Sequence, residues 1–218
     1  MICISISERT AAGCIRALEG LKLAEVRLDL MDDAELTPEN IRMIFSRPIE
    51  LVATCRPLKM GEVKRKECLL LAIEAGAKYV DIEVEAPDGC KKEIVEKART
   101  WGCQVIASYH DYKRTPPEAE LRQIIQWCFE SGADIAKIAC MAKGPRDCAR
   151  LLGLLDSEKK LIVIGMGEHG KITRVAAPLL GAPFTYASPG RGKETAEGQM
   201  DAETLGKAMD AMKEALAR

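Results

Sequence analysis

The feature that most constrains this chain is an alternation. Eight short β-branched or apolar runs, each followed by a helix-like stretch, recur at a roughly 26-residue spacing. The runs are ICISI (2–6), AEVRLDL (24–30), LVATC (51–55), YVDIEV (79–84), QVIASY (104–109), DIAKIA (134–139), LIVIGM (161–166) and FTYAS (184–188). Between them lie amphipathic stretches such as KRKECLLLAIEAGA, KKEIVEKARTWG and EAELRQIIQWCFESGA, whose terminal glycines suit a helix C-terminus. DAETLGKAMDAMKEALAR reads as a final helix. Strand–helix alternation implies a parallel sheet with right-handed crossovers. Eight such units predict an α/β fold, a single (β/α)8 TIM barrel spanning residues 1–218, near the short end of that fold's range. The rival, an open doubly wound sheet, usually carries GxGxxG after its first strand, and ISERTAAG does not match.

Charge nearly cancels, with 32 Lys+Arg against 33 Asp+Glu, so nothing global suggests a nucleic-acid or anionic-membrane partner. No apolar run approaches the ~18 residues of a membrane span. MICISISERT lacks the basic and apolar regions of a signal peptide, which makes the expected location cytoplasmic. The nine cysteines are scattered, form no CxxC, and stand far from His110 and His169 as metal partners, so no metal site is expected. Those in apolar runs, Cys3, Cys128 and Cys140, read as small hydrophobes.

Strand side chains alternate, so every second residue of a barrel strand points inward. In AEVRLDL, Val26, Leu28 and Leu30 oppose Glu25, Arg27 and Asp29; in YVDIEV, Val80, Ile82 and Val84 oppose Asp81 and Glu83. The outer face must meet apolar helices, which sends the charges inward unless these are edge strands with one solvated face. Inward charges need partners and so imply a polar site. Lys137 is the sharpest single residue, since Ile135, Ala136, Ile138 and Ala139 flank it and neither strand face is polar. The alternatives are a lysine snorkelling at a strand end and an amine enclosed by apolar walls, where ammonium is poorly solvated and the neutral form can attack a carbonyl. His110 falls at the C-terminal end of the preceding strand, either structural or an acid–base group whose tautomer Asp81 or Glu83 could hold. Arg27, Arg56 and Arg174 fall at strand ends or in the loops that follow, a set suited to a carboxylate or phosphate. SPGRGKETAEGQM resembles a phosphate loop only superficially, with Ala187 and Glu194 breaking GxxxxGK[ST]; it reads as a lid or as a plain surface loop.

Together these residues closely resemble the type I 3-dehydroquinate dehydratases. The matching stretches are EVRLD (25–29), TCR (54–56), VDIE (80–83), SYHDY (108–112), ADIAKIA (133–139), GMGEHGKITR (165–174) and EGQ (197–199), in order over essentially the whole chain. The resemblance implies a hydro-lyase of the shikimate pathway that dehydrates 3-dehydroquinate to 3-dehydroshikimate in the cytoplasm, without metal or organic cofactor. It implies a Schiff base on Lys137 and proton transfer by His110. Arg174 would hold the substrate carboxylate, and Glu25, Arg27 and Arg56 the ring hydroxyls. Ser5 and Met166 would line the pocket, and Thr195 and Gln199 would contact the substrate from the last loop, Thr195 being preferred to Ser188. Family members are often dimers, so a homodimer is carried over with no interface legible in the residues. Two departures stand out. Where the family often has Glu four residues after the Arg of the third-strand loop, this chain has Met60, with Glu62 nearby, and the TAEGQ of the last loop comes late. A Schiff-base aldolase acting on a small keto acid and a non-catalytic ligand-binding barrel are the competing readings.

Overall fold

The computed structural model describes residues 1–57 and 60–217. Along them β1 (Ile2–Ile6), β2 (Leu23–Arg27), β3 (Glu50–Thr54), β4 (Tyr79–Glu83), β5 (Gln104–Asp111), β6 (Ile135–Met141), β7 (Leu161–Met166) and β8 (Thr185–Ala187) alternate with helices. The helices are α1 (Ala11–Ala17), α2 (Pro38–Phe45), α3 (Glu62–Glu74), α4 (Asp88–Trp101), α5 (Glu118–Glu130), α6 (Pro145–Gly153), α7 (Gly167–Leu179) and α8 (Ala202–Leu216). The strands form one eight-stranded sheet in the order β7-β6-β5-β4-β3-β2-β1-β8, the sequential order of the (β/α)8 barrel that the alternation predicts.

Two compact units make up the chain. One comprises Ser5–Ala107 and Phe129–Asp134. Its β2, β3 and β4 pair in parallel, and the register sets Arg27 beside Thr54 and Thr54 beside Asp81. The expected second strand stops early: Leu28–Leu30 turn into a 3-10 helix in which Leu28 and Asp29 are both buried. That turn lets Asp29 fold back onto the arginine it follows. Gly102 closes α4 at φ 69°, a left-handed conformation that a side chain would strain, as the terminal glycine of KKEIVEKARTWG predicts.

The other unit comprises Met1–Ile4, Ser108–Cys128 and Ile135–Arg218. Here β6 and β7 pair with Lys137 beside Ile162 and Met141 beside Met166, while β1 and β8 pair with Cys3 beside Tyr186. GMGEHGKITR bends β7 straight into α7, and a Cβ on Gly170 would collide with the carbonyl group of Gly165. Only glycine permits that approach. Thr173 locks it, accepting from the Gly165 N–H and donating to the Gly170 carbonyl, both at 2.7 Å, which fixes the helical turn carrying Arg174.

All nine cysteines are buried, as the apolar runs around Cys3, Cys128 and Cys140 suggest for those three. Burial pushes the thiols of Cys14, Cys55, Cys103 and Cys140 up to about 12.

Candidate active site

In the Ser5–Ala107 unit the charges of AEVRLDL and YVDIEV are buried (Glu25, Asp29, Asp81) or half-buried (Arg27, Glu83) and partnered. Glu25 is only 4% exposed, and its two carboxylate oxygens accept hydroxyl donors from Ser5 and Thr54, each at 2.9 Å. Arg27 grips Asp29 through two guanidinium nitrogens at 2.9 and 2.6 Å. Arg56, just past β3, donates to Asp81 at 3.0 and 3.1 Å and to Glu83 at 2.6 Å. Burial works against the charge on Arg56, yet Asp81, Glu83 and Glu25 outweigh it and hold the guanidinium well above its ordinary range. Arg27 is likewise raised: burial opposes its charge, but the bond to Asp29 and the fields of Glu25 and Asp29 prevail.

A second buried arginine completes this network. Arg65, from the first turns of α3, donates to the Cys55 carbonyl, to both oxygens of Glu62 at 3.0 Å, and to the Glu83 oxygen opposite the one that Arg56 uses. One side chain thus ties the end of β3 and the start of α3 to β4. Met60, where the family often has glutamate, lies with its sulfur 3.5 Å from the Cys55 thiol, and Glu62 is engaged by Arg65.

In the other unit Lys137 is 5% exposed on β6, and its Nζ stands 4.2 Å from the centroid of the Tyr186 ring on β8. The main chain of Tyr186 also meets Arg174, whose Nη1 donates to the Tyr186 carbonyl at 3.3 Å. That guanidinium is 1% exposed, and neither Nε nor Nη2 has a hydrogen-bond partner among the described residues. Desolvation pushes it down to about 10, so it stays charged at neutral pH at the expense of lost hydration. A buried cation with two free donors is shaped for a planar anion.

His110 lies inside β5, half-buried, with its ring stacked on Tyr112 at 6.0 Å. Met166 is buried at the end of β7. In the last loop Gln199 is buried and its Oε1 accepts from the Thr195 backbone at 2.7 Å and from the Thr195 hydroxyl at 3.2 Å. The Ser188 hydroxyl is directed to the Gly190 and Met200 carbonyls of its own segment. Among the described residues no group of three or more His, Cys, Asp or Glu is arranged to hold a metal.

The structure therefore joins Ser5 to Glu25, Thr195 to Gln199, and Lys137 to Arg174 through Tyr186. Three contributors escaped the sequence reading. Arg65 sits among the lysines of KRKECLLLAIEAGA, yet its spacing to Cys68, Leu69 and Ala72 marks the buried helix face. Thr54 stands inside a matching motif, at strand parity with the inward charges. Tyr186 lies in an apolar run and carries no signal beyond strand parity.

Eight parallel strands alternating with helices, with a buried lysine and an incompletely partnered buried arginine, define an α/β protein of the (β/α)8 barrel class. A family model described as type I 3-dehydroquinase matches residues 2–215. The chain is 38% identical over 220 aligned residues to the 3-dehydroquinate dehydratase of Methanothermobacter thermautotrophicus, covering 94% of each. Its fold matches the type I 3-dehydroquinate dehydratase of Clostridium difficile with covalently modified comenic acid at a TM-score of 0.86 and 21% identity, covering 98% of this chain and 92% of that one. The 3-dehydroquinate dehydratase of Aquifex aeolicus superposes at 0.80 with 26% identity, over 97% and 98%. The chain belongs to the type I 3-dehydroquinase family, and its curated relatives are named 3-dehydroquinate dehydratase, an enzyme of the hydro-lyase class.

Proposed function

We propose that this chain dehydrates 3-dehydroquinate to 3-dehydroshikimate, the hydro-lyase step of the shikimate route to aromatic amino acids, through an imine on Lys137. The observation that carries this reading is the Arg174 guanidinium: buried, charged, with two donors unspent, and sharing Tyr186 with the lysine amine. A carboxylate on a keto substrate supplies the missing acceptors. The ketone of the same molecule then reaches the amine without further translational loss.

In this mechanism the iminium is the electron sink. His110 removes a proton from the adjacent carbon and returns one to the departing hydroxyl, and hydrolysis frees product and lysine. The chemistry calls on no metal or organic cofactor. Glu25, Arg27 and Arg56, fixed by Ser5, Thr54, Asp29, Asp81 and Glu83, serve the ring hydroxyls. Met166 packs near the reacting carbons, and Thr195 and Gln199 contact the substrate from the last loop, which acts as a lid. Residues 1–218 act as one catalytic domain in the cytoplasm, and the homodimer is carried by family resemblance. Among the described residues no helix is long and apolar enough to cross a membrane.

Incubation with 3-dehydroquinate, borohydride reduction and peptide mapping test this reading. The expected result is an adduct on Lys137 together with the absorbance of the conjugated enone. An adduct without enone leaves imine chemistry of the aldolase kind, and no adduct leaves a binding module; either result overturns the dehydratase. His110→Ala still forms the adduct and turns over poorly, whereas turnover like the parent removes His110 from the mechanism.

A further inference from the structure

We propose that Tyr186 is a catalytic residue of this reaction, its ring face stabilising the positive charge that the Lys137 nitrogen bears while bonded to substrate. The inference rests on the imine reading above.

The geometry is specific. Nζ lies 4.2 Å from the ring centroid, well inside the ~6 Å over which an aromatic face attracts a cation. Both residues are buried, so the contact is shielded from bulk water, where it would be weak. The ring is held in place from two directions. Phe184 meets it edge-on at 5.5 Å, and the Tyr186 carbonyl accepts the Arg174 guanidinium. An electron-rich face attracts a cation without offering a proton or a nucleophile.

Charge at the nitrogen changes along the reaction. The neutral Nζ bonds to the keto carbon, and the carbonyl oxygen leaves as water with one proton from Nζ and one from protonated His110, giving an iminium that keeps one proton and a positive charge. His110 takes the α-proton; the C–H pair becomes a C=C bond and the C=N pair returns to nitrogen, which is then neutral. Departure of the hydroxyl as water, with the proton from His110, draws that pair back and restores the cation. Hydrolysis ends the cycle. The ring attracts the nitrogen in both iminium states, so it keeps the imine in the protonated form that acidifies the α-carbon.

Replacing Tyr186 by phenylalanine and then by mono-, di- and trifluorinated phenylalanines keeps the shape while draining the face of electron density. We expect kcat/KM to fall stepwise, by about tenfold at the trifluoro ring relative to phenylalanine. The fraction of Lys137 trapped by borohydride at saturating 3-dehydroquinate falls in parallel, with melting temperature unchanged. Tyr186→Leu is lower still. A flat series overturns the inference, as does a folded but inactive Tyr186→Phe, which would assign the role to the hydroxyl. Absence of any Lys137 adduct in the unaltered protein is a different failure, that of the imine reading itself.

Discussion

Thr54 donates its hydroxyl to one carboxylate oxygen of Glu25 at 2.9 Å, both groups being buried. A buried acceptor that loses its donor costs about 1–3 kcal/mol. Thr54→Val therefore raises KM for 3-dehydroquinate by about tenfold with a smaller effect on kcat, and Thr54→Ser, which keeps the hydroxyl, stays near the parent. Steady-state kinetics on the three proteins checks this. Equal loss in both variants would mean that the methyl group, not the hydroxyl, matters.

Arg174 sets function against stability. Its charge is buried with donors unused, so Arg174→Met should raise unfolding free energy by about 1–4 kcal/mol while raising KM at least a hundredfold. The pH dependence has a definite sign. Burial lowers this group from its ordinary range to about 10 in the folded chain, so above about 10 the unfolded chain binds more protons. The destabilisation is fully present below about 10 and is relieved as pH rises above that value. The stability gap between Arg174→Met and its parent, measured by urea unfolding, narrows from pH 9 to pH 11. A constant gap would assign the effect to packing.

Arg65 is a keystone of the opposite kind. Arg65→Met strips a donor from half-buried Glu83, which keeps Arg56, and from Glu62, so the loss should fall below the about 3–5 kcal/mol of a fully buried pair broken from one side. Urea unfolding should show that loss, and KM should rise because Glu83 no longer holds Arg56 from a fixed position. Lysine cannot span the same acceptors, so Arg65→Lys recovers little.

The thiols are predicted to be silent. All nine thiols are buried, and burial raises those of Cys14, Cys55, Cys68, Cys90, Cys103, Cys140 and Cys148, so the native protein at pH 8 reacts with iodoacetamide far more slowly than a free thiol, while all nine residues label in guanidinium chloride. Rapid labelling of a native cysteine by mass spectrometry would identify an opening fluctuation at that site.

Much of this was legible in the residues, and the reasons differ. The alternation fixed strand number and order because each strand–helix unit must bury its own apolar face. Lys137 stood out because no polar neighbour explained it, and the inward charges of AEVRLDL followed from parity. Parity failed at Leu28, where the chain leaves the sheet so that Asp29 can reach Arg27. Arg65 was hidden because a cationic residue on an amphipathic helix resembles its solvated neighbours until the acceptors from other segments are known. Tyr186 was hidden because an aromatic residue in an apolar strand has the same letter whether it fills space or faces a reacting atom.

The contact of Gly165 with Gly170 has a wider consequence. The bearing of Arg174 is set by main chain resting on main chain, with one threonine as the bolt. Side chains elsewhere on α7 can drift through generations of substitution without turning that arginine, whereas Gly170 admits no replacement at all. Tolerance to mutation along this helix is thus concentrated away from its first two turns, and a saturation library of α7 would show it as a sharp step after Arg174.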